Sequence, residues 1–146
     1  MTDLESVRTL VYDTLAARFD ARVVNPSGTE RFMVTRGSTV LVVTVFQRGD
    51  GHPVVVSIDS AVLSGVPASA ELFEYIALNA DSYYMGHLNV SRNDDSTCAV
   101  WFTHKFLGEH FDAESFTAAC RMVLGTADEL DDELRTRFGG DRWIDD

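Results

Sequence analysis

Lysine is almost absent from this chain. Lys105 stands alone beside eleven arginines, against 23 acids, and the net charge is −11 over 146 residues. So little positive charge suits neither nucleic acid nor an anionic membrane surface, because phosphate binding needs clustered Lys and Arg. A basic protein or peptide would be attracted instead. Cysteine is scarce too: Cys98 and Cys120 fall on predicted regular elements without metal-type spacing. They read as two reduced, buried small residues. No apolar run approaches the ~18 residues that a membrane span needs. Residues Leu4 to Phe19 are amphipathic, with no basic stretch leading into an apolar one, so no signal peptide is expected and the expected location is the cytoplasm.

Patterns that carry chemistry are missing as well. His52, His87, His104 and His110 include no helical i, i+4 pair with a carboxylate between, and there is no Cys-x-x-Cys. His104 and His110 lie across a strand end and read as surface or hydrogen-bonded histidines. No G-x-S-x-G elbow is present. Cys98 and His104 share a strand face but would sit roughly 20 Å apart at ~3.3 Å per residue. Gly49-Asp50-Gly51 leads into a strand with no lysine after it, which is a hairpin turn and not a phosphate loop. Asn93-Asp94-Asp95 reads as a turn and Asp128–Glu133 as a solvated helix face, not as calcium loops. No catalytic residue, cofactor or metal site is therefore expected.

What is present is a strong α and β pattern. The last quarter carries the clearest signal. Phe116, Cys120, Val123, Ala127, Leu130, Leu134 and Phe138 recur at steps of three and four, which keeps them on one stripe of a helix capped by Asp112 and ended by Gly139-Gly140. Its back is acidic: Asp128, Glu129, Asp131, Asp132 and Glu133. From Glu109 to Asp146, eleven acids face four arginines, −7 of the total charge. At the other end, Thr2 and Glu5 form a capping box, and Leu4, Val7, Val11, Leu15 and Phe19 mark a helix over 3–19.

Between these helices the pattern predicts strands. Residues 25–30 form a turn cluster, followed by a short strand over Arg31–Arg36. Thr39–Arg48 is nearly continuously apolar and β-branched, which predicts a central strand covered on both faces. Val54–Val62 is the next strand, with Gly65-Val66-Pro67 breaking the sheet. Ser69 caps a second helix carrying Leu72, Phe73, Ile76, Ala77 and Ala80. Tyr83–Arg92 and Thr97–Phe106 then pair as an antiparallel hairpin. The expected fold is a single α+β domain of order α-β-β-β-α-β-β-α, with an antiparallel sheet packed against helices and a long C-terminal helix. Residues 1–140 form the domain and 141–146 an acidic tail with Trp143 and Ile144 as its apolar anchors.

Aromatic residues cluster late in the chain, so a binding surface is expected there. Val100 and Phe102 should face one way and Trp101 and Thr103 the other; one face is core, and the second is either a wet aromatic surface or a face that helices also cover. The candidate partner or dimer surface comprises Phe73, Tyr83, Tyr84, Trp101, Phe102 and Phe106.

Several local pieces resemble the YbjN family, within the wider group of type III secretion chaperones of CesT type. They are Leu72-Phe73-Glu74-Tyr75-Ile76-Ala77-Leu78-Asn79, Gly86-His87-Leu88, Phe106-Leu107-Gly108, Ala127-Asp128-Glu129-Leu130-Asp131-Asp132-Glu133-Leu134 and Phe138-Gly139-Gly140. Asn79 is expected to cap its helix in a left-handed conformation or to bond the following turn, and Gly86 to allow a bulge or close approach. The resemblance implies no catalytic residue. It implies a small acidic homodimer that binds an extended segment of another protein, with no secretion apparatus required. From the charge, that segment should be apolar with basic flanks. A regulatory interaction module of sensory-transduction type and a small-molecule sensor stay open as alternatives.

Overall fold

The computed structural model describes residues 3–20, 22–24 and 31–143. The expected Thr2 half of the capping box, the 25–30 turn cluster and Ile144 lie outside these. Helix α1 spans Leu4–Arg18 and is capped by Asp3, whose side chain accepts from the Ser6 backbone N–H. Strands follow at β1 (Arg22–Val24), β2 (Arg31–Arg36), β3 (Thr39–Gln47) and β4 (Val54–Pro67). Helix α2 (Ala70–Asn79), strands β5 (His87–Arg92) and β6 (Thr97–Leu107), a 3-10 turn at Gly108–His110 and helix α3 (Ala113–Phe138) complete the α+β domain. The sheet is antiparallel with strand order β1-β2-β3-β4-β6-β5.

The expected order stands with one strand added, and two expectations need correction. The added strand is three-residue β1, which joins β2 through the pairs Arg22–Met33 to Val24–Arg31. Gly65-Val66-Pro67 does not break the sheet. Strand β4 runs on to Pro67, and two register shifts, between Ala61 and Leu63 and between Leu63 and Val66, absorb the irregularity. Strand β3 is central, as expected, but among the described residues helices cover only one of its faces. Val43 pairs with Phe32 and Ile58, and Ser60 with Leu41 and Phe102, so these residues share one face of the sheet. That face supplies the core together with Val7, Val11 and Leu15 of α1, Leu72 and Ile76 of α2, and Phe116 to Leu134 of α3. All three helices therefore lie on one side. The opposite, open face carries Met33, Val42, Thr44, Val55 and Trp101, each half-buried by its neighbours on the pleated surface.

Helix α3 is about 39 Å long at 1.5 Å per residue and buries the predicted seam from Phe116 to Leu134. Asp112 caps it by accepting from the Ser115 N–H, and Gly139 ends it at φ 83°. Asp131 leaves the expected acidic back: it is buried and accepts from the Ser38 hydroxyl at 2.5 Å. Ser69 caps α2 as expected. Asn79 does not turn left-handed; its Nδ2 donates back to the Tyr75 carbonyl oxygen at 2.9 Å. After α3 the chain is held to the sheet, Asp141 bridging Ser64 through two backbone hydrogen bonds of 2.8 and 2.9 Å.

Candidate functional site

The six aromatic candidates do not form one surface. Phe102 is fully buried in the core, so it is corrected from a surface residue to a structural one. Tyr83 packs edge-on against it, ring centroids 5.1 Å apart, and its phenol is pushed up to about 12 by burial, with Tyr75 and Glu133 adding to the shift. Tyr83 and Tyr84 precede β5 and lie off the hairpin, since β5 begins only at His87. Tyr84 is 93% exposed. Phe73 is half-buried on α2 with the Arg92 guanidinium 5.2 Å above its ring. Trp101 lies on the open face, opposite Ala61 and Asn89, and Phe106 lies on the helix face.

The shortness of β5 creates a site that the sequence pattern did not reveal. Its pairing with β6 runs from His87–Thr103 to Arg92–Cys98 and stops. Strand β6 continues through His104, Lys105, Phe106 and Leu107, which pair only with β4. On the other side, alternate residues of this stretch present their N–H and C=O groups to no backbone partner among the described residues. Gly86 is the cause. It holds φ 85°, and a Cβ there would lie 2.9 Å from the Thr103 carbonyl oxygen and 2.7 Å from Phe102. The chain thus reaches β6 in the left-handed region, which extended pairing cannot use, and arrives one residue before the unpaired stretch.

Beneath this free edge, on the helix side, is a cavity of about 200 Å³ lined by Met85, His104, Phe106, His110, Asp112, Ser115, Phe116 and Ala119. Its wall is an aromatic cluster: Phe106 is 6.1 Å from Phe116 and 6.5 Å from Phe111, and Phe111 is 5.2 Å from Phe116. Burial, and then the neighbouring His87, hold the His104 imidazole below its ordinary pKa, so the ring is neutral at pH 7. His104 and His110, six residues apart in sequence, thus line one cavity.

On the open face, Asp59 accepts from Thr103 Oγ1 at 2.6 Å and from Ser57 Oγ at 2.9 Å. Asn89 Nδ2 donates to the same Thr103 hydroxyl at 2.8 Å, which completes a polar chain across β4, β6 and β5. Among the described residues no group of three His, Cys, Asp or Glu side chains could hold a metal ion. The Cys120 thiol is pushed up to about 12 by burial, which makes it a poor nucleophile at neutral pH. An unpaired strand edge above an apolar cavity can bind extended polypeptide.

Comparison with protein families agrees. The family model TY-Chap1, the T3SS (YopN, CesT) and YbjN peptide-binding chaperone 1, matches residues 5–146. The chain belongs to the TY-Chap1 family. No curated protein matches it. TY-Chap1 membership supports a chaperone-like binding role and a protein or peptide partner. No helix among the described residues is long and apolar enough to cross a membrane.

Proposed function

We propose that this TY-Chap1 protein is a non-enzymatic chaperone or adaptor of the cytoplasm that holds an extended segment of another protein along the free edge of β6. The segment continues the line of β5, bonds the unpaired backbone of His104–Leu107, and seats an apolar side chain in the cavity below. The observation that carries this reading is the coincidence of the two features: an unpaired strand supplies affinity through main-chain hydrogen bonds, and a pocket under it supplies selectivity. The exposed Ser115 offers a test, because a large side chain there fills the cavity from its rim without crowding the core. Ser115→Phe is expected to weaken binding of extended apolar peptides at least about tenfold while changing stability by no more than ~0.5 kcal/mol. Fluorescence polarisation with a panel of labelled peptides measures the first effect and urea unfolding the second. Unchanged peptide affinity in the variant would remove the cavity from the site. Suppression of client aggregation would distinguish chaperoning from regulatory docking.

We also propose a homodimer formed through α2 and the residues after it. Leu78 is 74% exposed and Tyr84 93%, an unusual pair of large apolar groups to leave in water within one short segment. Light scattering at micromolar concentration should give twice the 16.2 kDa chain mass, and Leu78→Glu should halve it. A monomeric wild type would exclude this dimer.

A further inference from the structure

We infer that the β6 edge selects segments carrying an acidic residue next to the apolar anchor, and that Lys105 makes the selection. This rests on the β6-edge reading above. Side chains alternate along a strand, so His104 and Phe106 turn toward the cavity while Lys105 and Leu107 turn to the open face. A bound strand alternates in the same way. Its residues over the cavity are apolar, and the residue between them faces Lys105.

The Lys105 ammonium makes no ion pair among the described residues. Its partner on β4 is Ser57, which is neutral. The nearest acid on that face, Asp59, already accepts from Thr103 and Ser57 through its two oxygens. Arg22 and Arg31 of the open face lie at the far side of the sheet on β1 and β2, and His87 on β5 stands opposite Thr103. Lys105 is thus an unanswered positive charge beside an unpaired edge in a chain of net −11. Opposite charges directly across two strands attract, and like charges repel. The same charge argues against a second copy as the occupant, because edge-to-edge pairing of two β6 strands would bring Lys105 toward its own counterpart.

The charge on the cavity side has the opposite sign, with Asp112 on the rim. A basic flank beyond the anchor is therefore compatible with an acid facing Lys105. The two signs on opposite faces also set the register. A slip by one residue would carry the acid into the cavity beside Asp112 and the apolar anchor into water.

The probes are capped nine-residue peptides with Leu-Glu-Leu, Leu-Gln-Leu or Leu-Lys-Leu at the centre, in otherwise identical sequences. Wild-type protein should prefer the glutamate peptide over the glutamine one by about two- to fivefold, with the lysine peptide weakest. Lys105→Gln should remove the preference, and Lys105→Glu should invert it in favour of the lysine peptide. Equal binding of all three peptides to wild type would overturn the inference and leave the edge reading standing. No binding of any peptide would remove both. Lys105 is exposed, so each variant should keep the wild-type unfolding curve, which separates charge selection from loss of fold.

Discussion

Phe102→Ala is expected to lower stability by about 3–5 kcal/mol. The ring has no solvent exposure. It faces Ser60 on β4 and Leu88 on β5, and Tyr83 stacks edge-on against it. Removing it deletes the transfer energy of a phenyl group and leaves a void that the rigid sheet beneath cannot close. Tyr83, which holds part of its own burial against that ring, loosens in consequence. Urea unfolding checks the result: the midpoint should fall with the slope preserved, which marks lost stability in place of a changed denatured state. A change within ~0.5 kcal/mol is what a surface residue would give, and would contradict the buried placement.

Gly86→Ala should be nearly as damaging, at about 3 kcal/mol or more. Two costs add. An alanine at φ 85° sits in a region that L side chains rarely adopt, which costs roughly 1–2 kcal/mol. The new Cβ would also lie 2.7 Å from Phe102 Cε2 and 2.9 Å from Thr103 O, so a buried ring and a ladder carbonyl would have to move. A backbone oxygen cannot swing aside as a side chain can, so the strand junction itself must shift. Thermal or urea unfolding measures the loss. Where the variant retains a folded state, peptide binding should also weaken, because Gly86 sets the point at which β6 is left unpaired. Wild-type stability for Gly86→Ala would show that the close approach is not required.

Much of the architecture was legible because the dominant signals were periodic. The α3 seam at steps of three and four, the caps at Ser69 and Asp112 and the stop at Gly139 depend on local chemistry and survive folding unchanged. Three things were not legible, each for a physical reason. A three-residue strand such as β1 carries too short a pattern to stand out from its turn. Continuous apolarity in β3 looked like cover on both faces. In the structure the side of β3 that carries Val42, Thr44 and Phe46 meets no helix among the described residues; Val42 and Thr44 are half-buried and Phe46 is exposed. The Gly65–Pro67 sequence looked like an interruption, whereas a bulged strand can carry such residues and keep pairing.

The site was hidden by a single glycine. Read from residue types, Tyr83–Arg92 and Thr97–Phe106 are equal in length, and equal strands leave no free edge. Gly86 turns at positive φ and removes four residues from the first strand, and that difference exposes the end of the second. The aromatic candidates then divided according to the alternation of β6. Phe102 went to the core, Trp101 to the open face and Phe106 to the cavity wall. Alternation was visible in the sequence, but which side the helices would cover was not. That choice depends on contacts between elements far apart along the chain.

Strand β4 has a consequence for how the molecule assembles. It is bonded to both β3 and β6, so it joins a local hairpin on one side to a distant one on the other. The β3–β4 ladder closes across a short turn, but Ser60 and Phe102, partners on neighbouring strands, lie about forty residues apart in sequence. Loop closure on that scale carries an entropic cost before any contact repays it. Each half of the sheet is closed by short turns, and the ladder between β4 and β6 is the one that carries the largest loop-closure cost. The Gly86 junction closes within the β5–β6 half, because its contacts are Phe102 and Thr103 of β6.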